Sequence, residues 1–169
     1  TDDLWRPDDG CLQLTARGET YTGTILEHLL IQQLTAFYEV GEHNIYRLRG
    51  ADWNDALDMA AERGESVAFT CAYAGNLRDL ASLLQLLESS AQIDSVELLE
   101  EIAVLLNDDE DMFADIDKKR EILDEFAGRC RHTVSGGRRS FSLSLLTANL
   151  IRKANWLTGH IRTQEWIDG

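Results

Sequence analysis

Basic residues, proline and cysteine are all scarce in this sequence, which contains one proline and three cysteines. It has 16 lysine and arginine residues against 30 aspartate and glutamate residues, which gives a formal net charge of −14. Nucleic acid and anionic membrane surfaces bind basic faces, so this charge argues against both as partners. No apolar run reaches the roughly 18 to 20 residues that a membrane span needs. A neutral ligand such as a sugar remains compatible with this composition.

The three cysteines, Cys11, Cys71 and Cys130, lie far apart, and none belongs to a CxxC pair. An odd and sparse set argues against a disulfide framework and against a structural zinc site. We therefore expect free thiols in a reducing compartment and predict a cytoplasmic protein.

The length of 169 residues corresponds to one domain or to a piece of a larger one. Hydrophobic residues make up 44% of the chain, a fraction that excludes intrinsic disorder despite the high charge. The chain starts at Thr1 rather than at methionine and stops at Gly169, directly after an aromatic helix pattern. From this we expect a segment excised from a longer protein.

Apolar residues recur every three or four positions along most of the chain, which is the pattern of amphipathic helices. Ser66 is expected to cap the second helix, and Asp94 or Ser95 the third. No alternation of period two extends beyond three or four residues, and residues 135–139 have the composition of a turn. The sequence therefore predicts an all-α fold of antiparallel helical hairpins, with helices over residues 22–40, 66–89, 93–106, 111–132 and 142–164.

The sequence contains no complete motif for binding a metal ion or a nucleotide. Asp52, Asn54 and Asp58 fit three positions of a calcium-binding loop, but Leu57 and Arg63 stand where that loop needs glycine and glutamate. The four histidines have no ligand-pair spacing, and no phosphate-binding GxxxxGK sequence occurs. We therefore expect neither a metal nor an organic cofactor.

A polar segment around an indole is the one candidate site. This candidate segment runs from Arg49 to Asp55 and contains Asp52, Trp53 and Asn54. A Gly-Glu-Ser-Val sequence that contains Glu65 follows it. An aromatic face stacks on the apolar face of a pyranose, and carboxylate, amide and guanidinium groups bind its hydroxyls. Spacing alone favours the plainer alternative, namely that Asp52 caps the next helix and Trp53 fills the core.

The same residues resemble a known family. Gly50-Ala-Asp-Trp-Asn-Asp-Ala-Leu57, with Gly64-Glu-Ser-Val67 behind it, is similar to the signature of the inverting glycoside phosphorylases of glycoside hydrolase family 94. Supporting similarities are Leu26-Glu-His-Leu29, Lys153-Ala-Asn-Trp156, Ile161-Arg162 and Glu165-Trp-Ile167. Ala51 replaces a usual second glycine, and residues 68–77 (Ala-Phe-Thr-Cys-Ala-Tyr-Ala-Gly-Asn-Leu) look closer to the members that act on β-1,2-glucans.

The resemblance implies that residues 1–169 are part of an (α/α)6 barrel, the catalytic domain of a phosphorylase that transfers a glucosyl group to phosphate. It implies that Asp55 is the general acid and that Trp53 lines the sugar subsites. The partners implied are a β-linked gluco-oligosaccharide and inorganic phosphate as co-substrate, in a monomer or a homo-oligomer. The family's phosphate-binding residues are expected beyond Gly169, so we expect this piece to be inactive alone.

A second hypothesis from a different class remains open. Without the phosphate site, the segment is also compatible with a non-catalytic helical module that binds carbohydrate weakly or serves only as scaffold.

Overall fold

A computed structural model describes residues 12–48, 60 and 63–165 of the chain. This part is mostly helical, with two small two-stranded sheets. Its helices are α1 (Ile25–Tyr38), α2 (Val67–Ala91), α3 (Ile102–Leu105), α4 (Glu110–Phe113), α5 (Ile116–Cys130) and α6 (Leu143–Gln164). Its strands are β1 (Leu14–Thr15), β2 (Ser95–Leu99), β3 (Thr133–Val134) and β4 (Arg138–Ser142).

Side-chain caps explain where the long helices begin. The hydroxyl of Thr24 accepts a hydrogen bond from Glu27 N at 3.1 Å, and the Glu27 carboxylate accepts one from Thr24 N in return, which makes a capping box before α1. Ser66 caps α2 and Ser142 caps α6 in the simpler one-way form. The helices predicted over 22–40, 66–89 and 142–164 are therefore confirmed.

The helix predicted over 93–106 is wrong. Residues Ser95–Leu99 form a strand that pairs antiparallel with Arg138–Ser142, so Arg138 and Arg139 are also strand rather than turn residues. The chain leaves α2 at Gln92, whose φ of 53° is left-handed, and the carbonyl of Asp94 accepts a hydrogen bond from Leu143 N instead of starting a helix. Only Ile102–Leu105 of the predicted span is helical, and the fold is mostly helical rather than all-α.

A break divides the helix predicted over 111–132. Asp115 lies in extended backbone and its carboxylate accepts a hydrogen bond from Lys118 N, so it caps a new helix, α5, after the short helix α4. The single helix predicted over this span is therefore two helices, because a second N-cap inside the span divides it.

Helices α2 and α6 form the main helix pair of the described core. Arg78, in the first half of α2, donates hydrogen bonds to Asn155 and Thr158, in the second half of α6. Leu143, the first residue of α6, donates to Asp94, just beyond the end of α2. The two helices therefore run antiparallel, although they are far apart in the sequence. Helix α1 packs beside them, with Leu30, Leu34 and Phe37 fully buried.

Two leucines on α2 lie one helical turn apart and stay largely exposed. Leu83 is 56% exposed and Leu86 59% exposed. Residues three apart on a helix are neighbours on its surface, so the two side chains form a continuous apolar patch. Among the described helices, none is long and apolar enough to span a membrane.

We predict that this patch makes the isolated chain associate. In sedimentation velocity, the chain expressed alone should run as dimers or larger species at micromolar concentration. The double substitution Leu83→Gln and Leu86→Gln should shift it toward monomer, because it removes exposed apolar surface without touching the core. A single monomer peak for the unsubstituted chain would contradict the prediction.

Candidate active-site region

Five of the six predicted site residues lie outside the described residues, namely Arg49, Asp52, Trp53, Asn54 and Asp55. The structure describes the two chain segments that flank them. Arg47 and Glu65 form an antiparallel bridge, Leu48 N donates to Gly64 O at 2.8 Å, and Ser66 N donates to Tyr46 O at 2.9 Å. We call these paired segments, residues 46–48 and 64–66, the stem. The stem holds Leu48 and Gly64 side by side, and the candidate segment lies between these two residues in the sequence.

The sixth predicted residue, Glu65, lies in the stem, and its carboxylate binds the protein's own groups. Oε1 accepts hydrogen bonds from His43 N at 3.0 Å and Ile45 N at 3.2 Å. Oε2 contacts His43 Nδ1 at 2.6 Å, and only 12% of the Glu65 side chain is exposed. A β-carbon at Gly41 would come within 2.6 Å of this side chain, so glycine is needed there. Glu65 thus ties the turn at residues 41–45 to the stem, while its role in binding substrate remains a prediction.

The Glu65 contact also orients the His43 imidazole and favours its charged form. The hydrogen bond to Glu65, and then the negative charge of that carboxylate, raise the pKa of His43 above its usual value. The side chain is 75% exposed, so the rest of the ring faces solvent. His43 O accepts a hydrogen bond from His160 Nε2 at 2.8 Å, which joins the turn to the second half of α6.

We predict that Glu65→Ala lowers the free energy of unfolding by about 1 to 3 kcal/mol, because three donors lose their acceptor. Urea unfolding measures the change. The matched control is Glu42→Ala, which removes an exposed pair with Arg63 and should leave stability unchanged. Equal stability of Glu65→Ala and the unsubstituted protein would show that this carboxylate does not order the turn.

Three aromatic rings pack where the stem meets α2. The centroid of the Tyr46 ring lies 4.6 Å from that of Tyr73 and 6.2 Å from that of Phe69. Tyr46 N also donates to the Thr70 hydroxyl at 2.9 Å. Burial, followed by a hydrogen bond to Tyr73, raises the pKa of the Tyr46 phenol above its usual value. The stem is therefore attached to the first two turns of α2 by ring packing and a hydrogen bond.

Two lysines lie buried among the aromatic rings of the core, and the sequence analysis did not predict the burial of either. Lys119 of α5 and Lys153 of α6 are both 0% exposed. The Lys119 amine lies 4.1 Å from the Phe37 ring centroid and 4.2 Å from that of Trp156. The Lys153 amine lies 5.1 Å from the Phe113 ring centroid and 5.4 Å from that of Phe37. Within the described residues, neither amine forms an ion pair, so aromatic faces and carbonyl oxygens surround both.

Helical spacing was the signal that could have revealed both lysines. Lys119 follows Ile116 by three positions and precedes Leu123 by four, and Lys153 lies between Leu150 and Leu157 at intervals of three and four. Each lysine therefore lies on the apolar face of its helix. No candidate metal centre of three or more His, Cys, Asp or Glu side chains occurs among the described residues.

Comparison with known proteins adds one match. The family model of the glycosyl hydrolase 94 superfamily, catalytic domain, matches residues 9–108, more than half of the chain. The matched range contains the candidate segment, the stem, α1 and α2. A search of curated proteins gives no match.

Proposed function

This chain belongs to the glycosyl hydrolase 94 superfamily, and we propose that it is part of an inverting β-glucan phosphorylase. The reaction proposed transfers a glucosyl group from a β-linked gluco-oligosaccharide to inorganic phosphate and gives α-glucose 1-phosphate. β-1,2-Linked glucans are the favoured substrate class, on the resemblance of residues 68–77 to members acting on that linkage. Residues 1–169 would supply part of an (α/α)6 barrel.

The observation that carries the proposal is the family match across the candidate segment. Residues 50–57 and 64–67 resemble the phosphorylase signature, and both lie within the matched range 9–108. The stem supports the proposal because it attaches the residues that flank that segment in the chain to α2. Catalytic groups need such a support, since small displacements of a reacting group lower the rate strongly.

The chemistry proposed needs one protein carboxyl group. Phosphate oxygen attacks the anomeric carbon from the α face, the bond to the leaving oxygen breaks, and Asp55 donates a proton to that oxygen. The products are α-glucose 1-phosphate and an oligosaccharide shortened by one glucose. An inverting hydrolase needs a second carboxylate, about 6.5 to 9.5 Å away, to activate water. Phosphate is already an anionic nucleophile, so no such base is required.

The remaining residues of the segment are proposed to bind the sugar. The Trp53 indole would stack on a pyranose ring, and Asp52, Asn54 and Arg49 would bind ring hydroxyls. Glu65 is also proposed to take part in binding the substrate, either by contacting it or by holding the turn at residues 41–45, because its carboxylate already binds His43 and Ile45. Asp55 must be protonated before reaction, so we expect burial or approaching phosphate to raise its pKa.

The experiment is a phosphorolysis assay on the full-length protein with β-1,2-, β-1,3- and β-1,4-linked gluco-oligosaccharides. We expect release of glucose 1-phosphate that requires added phosphate and is fastest with the β-1,2 linkage. Release of free glucose without phosphate would indicate a hydrolase. Binding of oligosaccharide in calorimetry without any turnover would favour the non-catalytic carbohydrate-binding or scaffold module.

We also propose a cytoplasmic setting and self-association. The two described cysteines, Cys71 and Cys130, are free thiols, which suits a reducing compartment. Burial raises the pKa of the Cys130 thiol to about 11, which makes it unreactive at neutral pH. The exposed patch of Leu83 and Leu86 supports a homo-oligomer, or contact with further parts of the same barrel.

A further inference from the structure

We infer that Lys119, buried in α5, is a positioning residue for the stem that flanks the candidate active-site segment in the chain, and that it acts by holding the side chain of Asn44. The inference rests on the proposed function for its activity test. Its structural part stands on contacts of described residues alone, and nothing in the family match assigns a role to Lys119 or Asn44.

The hydrogen bond of Lys119 is directed at a turn rather than at a carboxylate. Its Nζ donates to Asn44 Oδ1 at 2.8 Å, and the rings of Phe37 and Trp156 cover the rest of the amine. Both the charged and the neutral amine donate this bond. Burying a lysine without a carboxylate costs free energy, so a lysine at this position calls for a local reason. The one hydrogen-bond acceptor that the described structure gives this amine is Asn44.

Asn44 occupies a backbone conformation that needs support. Its φ is 60°, in the left-handed region that asparagine tolerates better than most residues. The residue is 3% exposed, and its amide Nδ2 donates to Phe113 O at 3.0 Å while Oδ1 accepts from Lys119. Both ends of the amide are therefore held, one by α4 and one by α5. These two bonds fix the direction of the turn.

The turn at Asn44 arranges the groups that bind Glu65. On one side of Asn44, His43 N and Nδ1 contact the Glu65 carboxylate, and on the other side Ile45 N donates to it. From Ile45 the chain enters the stem, and four residues after Asn44 it reaches Leu48, which donates to Gly64 O. A shift of Asn44 therefore moves both flanks of Glu65 and the first strand of the stem, from which the candidate segment departs.

Lys153 provides a matched control. It is equally buried and lies over rings of the same cluster, but its Nζ donates to Asn107 O at 2.6 Å and Asn149 Oδ1 at 2.8 Å. Both acceptors lie outside the turn and the stem. Replacing either lysine by methionine removes one buried amine and keeps an unbranched chain of similar length. Only the substitution at Lys119 should disturb the turn and the stem.

The activity test compares kcat and KM for phosphorolysis in the full-length protein. Lys119→Met should lower kcat roughly 10- to 100-fold with KM changed less than about threefold, because misplaced reacting groups affect the transition state more than binding. Asn44→Gly keeps the left-handed turn but removes the amide, and should give a similar loss. The double variant should be no slower than Asn44→Gly alone, because that substitution already removes the acceptor of Lys119. Lys153→Met should stay within about twofold of the unsubstituted protein.

Amide hydrogen exchange tests the positioning without any activity. Lys119→Met and Asn44→Gly should speed exchange at Ile45 and Leu48 by about tenfold or more, and Lys153→Met should not. Equal effects of the two lysine substitutions on kcat and exchange, no effect of either, or multiplied losses in the double variant would overturn the inference. If Lys119→Met does not fold, Asn44→Gly decides in its place. Absence of phosphorolysis in the unsubstituted protein would overturn the proposed function, and exchange would still decide the role of Lys119.

Discussion

Asp55→Asn in the full-length protein is expected to lower phosphate-dependent release of glucose 1-phosphate by about 10² to 10⁴-fold, the usual contribution of general acid catalysis. Asparagine has nearly the same shape as aspartic acid, so the fold and the stacking on Trp53 should survive. The variant loses the proton that must reach the leaving oxygen. The measurement is the initial rate of glucose 1-phosphate formation at saturating phosphate.

A substrate with a better leaving group tests the assignment of the proton. A 2,4-dinitrophenyl β-glucoside departs as a stable anion and needs little protonation, so Asp55→Asn should retain much of the unsubstituted rate with it. The loss should therefore be large with the oligosaccharide and small with the aryl glucoside. A loss of the same size with both would mean that Asp55 acts on binding or folding rather than on the leaving group.

Asp52→Asn is the matched control, since it makes the same chemical change three residues away. If Asp52 caps a helix or orders the segment, its replacement should cost about 1 kcal/mol of stability or less, because asparagine also caps well. Turnover should then fall far less than in Asp55→Asn. A deeper loss of turnover in a folded Asp52→Asn variant would show that the acid is Asp52.

The long helices could be predicted because their signals are local. Ser66 and Ser142 each precede a run with apolar residues every three or four positions, and their hydroxyls cap the helices that follow. Thr24 with Glu27 forms a capping box, which is a sequence pattern in itself. In such segments the cap and the helical period agree, so local preference and tertiary structure give the same answer.

Strand β2 could not be predicted because its cause is distant in the sequence. Ser95–Leu99 contains leucines and a glutamate that suit a helix, but it pairs with Arg138–Ser142 about forty residues later. Leu98 and Leu99 are both buried, and Leu99 N donates to the buried carboxylate of Glu27 at 2.7 Å. Cross-strand hydrogen bonds and this contact with α1 outweigh the local helical preference.

The residue types of the candidate site could be predicted from the sequence, but the contacts that hold its flanking residues in place could not. The Asp-Trp-Asn-Asp sequence is visible in the chain and matches a family signature. The contact of Glu65 with His43 joins residues 22 positions apart, and that of Lys119 with Asn44 joins residues 75 apart. Such contacts depend on how α1, α5 and the turn pack together, which no local pattern encodes. The helical spacing of Lys119 indicates burial but does not indicate its acceptor.

The last prediction concerns the pH dependence of stability. Burial, followed by the charge of Arg152, lowers the pKa of Lys153 from 10.5 to about 7. Burial, followed by the charge of Lys153, also lowers the pKa of Lys119 well below its usual value. Between pH 7 and about 10 the unfolded chain therefore binds more protons at Lys153 than the folded chain does. The contribution of Lys153 to the free energy of unfolding must then rise with pH across that interval. Below pH 7 this contribution does not change with pH.

Other groups limit the useful interval. Burial raises the pKa of Cys130 from 9.0 to about 11, so the unfolded thiol ionises first and stability falls as pH rises above 9. Burial also raises the pKa of Tyr21 to about 12, with a hydrogen bond to Glu27 adding to it, which acts in the same direction at higher pH. His43, with a raised pKa, loses the charge that Glu65 favours as pH rises through that pKa. The comparison is made between about pH 7.5, above the folded pKa of Lys153, and pH 9, where the unfolded Cys130 thiol begins to ionise.

Within that interval, Lys153→Met should reduce the rise of unfolding free energy with pH by about 1.4 kcal/mol per pH unit, the value for one proton. Urea unfolding at several pH values measures both slopes. Lys118→Met removes an exposed lysine from the same helix as Lys119 and should leave the slope unchanged, which controls for net charge. Methionine leaves Asn107 O and Asn149 Oδ1 without their donor, so the absolute stability of Lys153→Met also changes, but that loss does not depend on pH. Parallel slopes for Lys153→Met and the unsubstituted protein would mean that the buried amine keeps its proton throughout, held by the rings of Phe37 and Phe113 and by its two carbonyl acceptors.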